Sequence, residues 1–129
     1  MSNDIATEHI PMATLPEEQR RLMERIGPIW GTDIGKHRDL VVQTYTPLLE
    51  RQPDRGVRAT RNIAYGPHER HKLDIYQPEG GSRMPVVMFV HGGAFIRGAR
   101  DVNAQIYSNV ARYFARKGLL GINVGYRLA

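Results

Sequence analysis

Cysteine is absent from the 129 residues. No disulfide can form, and no thiolate zinc site can be built. Long apolar runs are missing too. None approaches the ~18 residues a membrane span requires, so no transmembrane helix is expected. The first residues, Met1-Ser2-Asn3-Asp4, offer neither a basic start nor an apolar core. No secretory signal is expected from them, and a cytoplasmic location is the expectation. Acids are the scarcer charge, 13 against 18 Lys plus Arg, for a net charge of +5. That excess is spread from Arg20 to Arg127, with acids among the bases as in Glu17-Glu18-Gln19-Arg20-Arg21 and Glu24-Arg25. Without a block of five or six like charges it reads as a solvated, mixed-sign surface, and no nucleic-acid partner is expected. What is present suits one ordinary globular domain: 41% of the residues are hydrophobic and 24% charged.

The chain changes character near residue 56. Residues 1–55 read as a helical cap segment. Thr14-Leu15-Pro16-Glu17 has capping-box spacing, with Pro16 in the first turn. Leu15, Leu22, Met23, Ile26 and Ile29 then recur at helical spacing until Gly27-Pro28 ends or kinks the run. A second helix is predicted after Asp33, with Val41, Tyr45, Leu48 and Leu49 on its apolar face. Pro47 leaves open a break near Thr46. Met23, Trp30 and Tyr45 read as packing residues. From residue 56 to 129 the pattern is that of an α/β core. Alternation over 57–65 and again at Leu73-Asp74-Ile75-Tyr76, around Gly66-Pro67-His68-Glu69, predicts an antiparallel hairpin. Pro78 through Arg83 is a surface loop. The continuous run Pro85-Val86-Val87-Met88-Phe89-Val90 suits a buried strand. A helix is predicted over Asp101 to Lys117, with Ile106, Val110, Ala111 and Phe114 on one stripe. Gly118 stops it, and Leu119 to Val124 form a second buried strand. Strand, helix and strand in this order make a βαβ unit with parallel strands.

Between the first buried strand and its helix lies His91-Gly92-Gly93-Ala94-Phe95-Ile96-Arg97-Gly98. Open α/β sheets bind ligands in loops at the carboxyl ends of parallel strands. Two adjacent glycines leave backbone N–H groups uncovered and permit φ values that other residues avoid. Such N–H groups suit an oxyanion that forms as an acyl carbon becomes tetrahedral. Ala94 is still small, and Phe95 is expected to pack beneath the loop. Two other readings stay open: a structural glycine turn, and a nucleotide-binding turn, although neither G-x-G-x-x-G nor G-x-x-x-x-G-K is present. Arg97 and Arg100 read as solvated loop charge, with contact to an acidic substrate as the sharper option. His9, His37, His68 and His71 read as surface or turn residues. His68-Glu69-Arg70-His71 has H-x-x-H spacing in a turn and no metal site is expected.

This order of segments, with Tyr126-Arg127-Leu128-Ala129 after the last strand, resembles the α/β-hydrolase fold. It is most similar to the esterase/lipase branch related to hormone-sensitive lipase, whose oxyanion motif is HGGG or HGG-x-[FW]. Leu73-Asp74-Ile75-Tyr76-Gln77-Pro78 matches the entry to that fold, so the specific resemblance covers residues 63 to 129. The helical first 55 residues match that branch's N-terminal cap in character. The resemblance implies that the main-chain N–H groups of Gly93 and Ala94 are the oxyanion donors. It implies that Gly92 gives the bend and that His91 orients the loop without being the base. It also implies a strand order 1-2-4-3, an ester substrate and no metal or cofactor. Ala94 replaces a third glycine, and Gly125 stands where an acidic residue often precedes Tyr-Arg.

The family's nucleophile sits in a G-x-S-x-G elbow, followed by an acid and a histidine. The serines here are Ser2, Ser82 and Ser108, and none has that setting; Ser108 falls within the predicted helix. The expectation is an N-terminal portion of a larger serine hydrolase of roughly 250–330 residues, a size the resemblance implies. Its partner would be the C-terminal remainder of the same enzyme, on this or a second chain, and this chain alone would be inactive. The alternative is a non-catalytic chain that binds another strand through an open sheet edge.

Overall fold

A computed structural model describes residues 15–53 and 55–129. The chain divides into two compact units, Met1–Arg51 and Gln52–Ala129.

The first unit is helical. Helix α1 (Glu17–Ile26) buries Leu22 and Ile26, and the Gln19 amide donates to the Thr44 carbonyl at 3.3 Å. Arg20 bridges Glu17 and Glu24 at 2.8 and 2.7 Å, and Arg21 also reaches Glu17. Hydrogen bonds from Arg20 and Arg21 hold the exposed Glu17 carboxyl below the usual carboxylate range. Pro16 stands just before the first residue of α1, and among the described residues no side chain caps the helix; the capping Thr14 lies outside them. A 3₁₀ turn over Gly27–Thr32 follows, as the Gly-Pro pair predicts. Helix α2 (Ile34–Glu50) starts where Asp33 Oδ1 accepts from the Lys36 N–H at 3.1 Å. It runs through Pro47 without the break near Thr46. The proline lies in the last turn, and the one helical bond it removes is that to the Gln43 carbonyl. Two expectations fail in this unit. Trp30 is 39% exposed because it sits on the 3₁₀ turn and not on a helix face. His37 is buried, its Nδ1 3.0 Å from the Trp30 carbonyl.

The second unit is a four-stranded sheet with one helix. Strands β1 (Val57–Ala64) and β2 (Lys72–Pro78) form the expected antiparallel hairpin. Its register slips between Thr60 and Ile63, where Asn62 adopts φ +60°. Asparagine tolerates this left-handed geometry better than most residues. Strand β3 (Val86–Val90), helix α3 (Ser108–Arg116) and strand β4 (Leu120–Val124) form the βαβ unit, with β3 and β4 parallel. Strand β4 also pairs antiparallel with β2, giving the order β1-β2-β4-β3. That is the order the resemblance implies.

Helix α3 is shorter than predicted. The Asn103 side chain accepts from the backbone of Gln105 and Ile106 at 2.8 and 2.9 Å, and these local bonds replace helix over 101–107. Ser108 is therefore the first helical residue, not an interior one. Its buried hydroxyl lies 3.2 Å from the Ala104 carbonyl and 3.1 Å from that of Gln105. Ala111 and Ala115 press α3 onto the sheet beside Tyr76. Gly121 makes this approach possible, since a Cβ there would stand 2.2 Å from the Ala111 carbonyl oxygen. Gly121→Ala is expected to lift α3 off β4 and cost about 1–3 kcal/mol, read as a lowered Tm. An unchanged Tm would show that the contact has slack.

The register places Leu73, Ile75, Val86, Met88, Val90, Leu120, Ile122 and Val124 on the other face. All are apolar, and Val86, Met88 and Val90 are more than half exposed. Among the described residues β3 is an edge strand, so an apolar face and an unpaired edge meet there. No helix among the described residues is long and apolar enough to cross a membrane.

Candidate active site

The loop after β3 is left-handed over three consecutive residues: φ is +134° at Gly93, +54° at Ala94 and +61° at Phe95. Gly92 keeps an ordinary φ, so the bend lies one residue later than expected. At Ala94 and Phe95 this geometry costs on the order of 1 kcal/mol each, and such strain gathers at functional sites. The Gly93 carbonyl accepts from Ile96 and Arg97, both at 3.1 Å, which closes a tight turn. A Cβ on Gly93 would stand 1.9 Å from the Arg97 carbonyl oxygen, so only glycine fits. The N–H groups of Gly93 and Ala94 donate to no partner among the described residues. Gly93 is half-buried and Ala94 exposed. The two amides are thus fixed in place, unused and reachable, as an anion-binding turn requires.

His91, at the start of the loop, is 2% exposed. Its Nδ1 lies 2.8 Å from the Gly92 carbonyl, which fixes the proton on Nδ1, and the buried Nε2 has no partner among the described residues. Tyr126 stacks on the imidazole at 4.3 Å and its hydroxyl donates to the His91 carbonyl at 2.7 Å. This ring pair fills the space beneath the loop that Phe95 is expected to fill. Phe95 instead turns outward, 67% exposed, with its ring centre 5.7 Å from that of Tyr126. The Ala129 N–H closes onto the Phe95 carbonyl at 2.7 Å.

Behind the loop lies a buried polar network that sequence patterns do not reveal. Asp74, fully buried on β2, accepts from the Asn62 N–H at 2.8 Å and from Arg100 at 3.4 Å. Arg61 stands 3.8 Å away, and Arg100 also donates to the Asn62 side chain. The buried Asn123 amide donates to the Arg100 carbonyl at 2.8 Å. Arg100 is therefore not solvated loop charge: its side chain is 10% exposed because a buried carboxylate draws it in. Arg97 remains exposed. A cavity of about 150 Å³ beside Arg70, Lys72, Arg100 and Asp101 borders this network. The sequence carries no signal for the network: the alternation makes Leu73 and Ile75 the apolar members of β2, yet Asp74 and Tyr76 are the buried ones.

The histidines outside the loop divide. His68 and His71 hold the β1–β2 turn, with His71 stacked on Tyr65 at 5.1 Å, while His9 lies outside the described residues. No group of three or more His, Asp or Glu suited to a metal ion occurs among the described residues. Ser82 sits in the exposed loop before β3.

The BD-FAE family model matches residues 73–129, which span β2, β3, the loop and β4. Esterase B from Lactobacillus rhamnosis, in its crystal structure with a C4-C4 SN3 tributyrin phosphonate, superposes with a TM-score of 0.52. The match is 24% identical and covers 88% of this chain and 34% of that one. A C6-C4 SN3 inhibited form of esterase B gives 0.53, at 25% identity over 84% and 33% of the two chains. The chain carries the N-terminal portion of an α/β-hydrolase fold. Two curated relatives match part of the chain. The probable isoprenylcysteine alpha-carbonyl methylesterase ICMEL1 of Oryza sativa subsp. japonica is 37% identical over 68 residues, 52% of this chain and 15% of the relative. Glutactin of Drosophila melanogaster is 40% identical over 57 residues, 44% of this chain and 5% of the relative. The chain thus spans about a third of esterase B and far less of these curated relatives.

Proposed function

We propose that this chain supplies the oxyanion hole of a serine carboxylic-ester hydrolase of the hormone-sensitive-lipase-like branch. The observation that carries the reading is the pair of unbonded amides at Gly93 and Ala94, locked in a left-handed turn at the carboxyl end of β3. A serine outside these 129 residues attacks the ester carbonyl. A histidine takes its proton and an acid orients that histidine. As the carbonyl oxygen becomes an oxyanion, the N–H groups of Gly93 and Ala94 hold it, together with one N–H beside the nucleophile. His91 serves the turn, because its Nδ1 proton is committed to the Gly92 carbonyl. The partner that completes the site is the C-terminal remainder of the enzyme, which would also cover the apolar sheet face and pair with the β3 edge.

The test is p-nitrophenyl ester turnover and fluorophosphonate labelling, on this chain alone and joined to or mixed with a polypeptide bearing G-x-S-x-G. The chain alone is expected to be inert, and the complete protein labelled and active. Turnover by the chain alone, or a labelled complete protein that cleaves no ester, would overturn the proposal. The exposed β3 edge favours one second reading, a non-catalytic chain that docks on another strand. A stable complex that never labels would favour that reading.

A further inference from the structure

We infer that Arg70 is a positioning residue that holds the oxyanion loop closed; the catalytic half of this inference rests on the function proposed above. Arg70 lies in the β1–β2 turn, remote in sequence from the loop. Its guanidinium donates through Nε to the Tyr126 carbonyl at 3.0 Å and through Nη2 to the Gly98 carbonyl at 2.7 Å. These two carbonyls control the two ends of the loop. Gly98 is its exit, with φ +95° and so close to the entry that a Cβ there would meet the Gly92 carbonyl oxygen at 2.4 Å. Tyr126 holds the entry, through its ring on His91 and its hydroxyl on the His91 carbonyl. One guanidinium therefore ties the exit of the loop to the residue that holds its entry.

The turn is built to present this side chain. The Arg70 N–H donates to His68 Nδ1 at 3.0 Å, and the His68 N–H donates to His71 Nδ1 at 3.2 Å. Tyr65 and His71 are joined by their backbones at 2.9 Å and by ring stacking. His68 and His71, which the sequence gives as surface or turn residues, are thus the scaffold of an arginine. Arg70 forms no ion pair with a carboxylate among the described residues; its charge strengthens two bonds to neutral carbonyls. The rigid fork sets the separation of the two carbonyls, which the single point charge of a lysine does not do.

The experiment compares Arg70→Ala and Arg70→Lys with the parent in the complete protein. Hydrogen–deuterium exchange is read over residues 92–98, where the Ile96 and Arg97 amides bonded to Gly93 report loop closure. Both variants are expected to exchange there about tenfold faster, while β2 and α3 keep their protection. With p-nitrophenyl acetate, kcat is expected to fall about ten- to a hundredfold with KM changed less than about twofold. Added ethylguanidinium is expected to restore part of kcat in Arg70→Ala and none in Arg70→Lys, whose own chain fills the site. Unchanged exchange over 92–98 in folded variants overturns the inference, whatever happens to kcat. Faster exchange in a protein whose parent cleaves no ester leaves the positioning role standing and removes the proposed function. If Arg70→Ala does not fold, Arg70→Lys decides, because it keeps the stem and the charge.

Discussion

Replacing Gly93 by alanine is expected to lower kcat for p-nitrophenyl ester hydrolysis by about 10²–10³-fold in the complete enzyme, the loss usual for one oxyanion donor. The variant keeps the amide, so the loss comes from geometry. With φ at +134° and the Arg97 carbonyl oxygen 1.9 Å from the new Cβ, the turn must open. Opening it moves both the Gly93 and Ala94 amides. An oxyanion exists in the transition state and not in the ground state, so KM should change little while kcat falls. Gly80→Ala separates this effect from general backbone strain. Gly80 also has positive φ, +72°, but its Cβ would meet nothing within 4 Å. That variant carries the strain and leaves the loop alone, so its kcat should match the parent. Equal losses in the two variants, or none at Gly93, would remove the oxyanion role.

Much of the frame around Gly93 is legible in the amino-acid sequence. The hairpin, the two apolar strands and the loop between them follow from local signals: period-two alternation, a continuous apolar run, and paired glycines after it. The placement of β4 between β2 and β3 follows from the resemblance and the parallel crossover. Three features escape because they depend on side chains meeting other groups in the folded chain. Phe95 suits the space beneath the loop by its position, yet Tyr126 takes that space from beyond the end of β4. Asn103 delays the start of the helix by bonding nearby backbone, a competition that an apolar stripe does not reveal. Arg70 and Arg100 look like ordinary surface charge, because nothing local to either marks the carbonyls or the carboxylate they reach.

The Arg100 partner yields the largest stability effect. Asp74→Ala is expected to cost about 3–5 kcal/mol, the range for removing one member of a buried ion pair. The carboxylate is fully buried and holds three groups at once: the Asn62 N–H, Arg100 at 3.4 Å and, at longer range, Arg61. Without it the Arg100 charge, only 10% exposed, lacks its buried counter-ion, and the bulge at Asn62 loses the acceptor for its N–H. Asp74→Asn separates these roles. It keeps an acceptor for the Asn62 N–H and removes only the charge, so its cost should be clearly smaller. Removing the cation as well, in Asp74→Ala/Arg100→Met, should recover part of the loss, since no unpaired charge then stays inside. Urea unfolding of the parent, the singles and the double measures the coupling. A cost below about 1 kcal/mol for Asp74→Ala, or strict additivity in the double, would mean that water reaches Arg100 and that the network is not closed. Because Arg100 leads directly back into the loop that ends at Gly98, the same variants should loosen the oxyanion turn from its exit side. Reduced protection of the Ile96 and Arg97 amides in Asp74→Ala is the expected sign that the buried pair and the Arg70 tie support one structure.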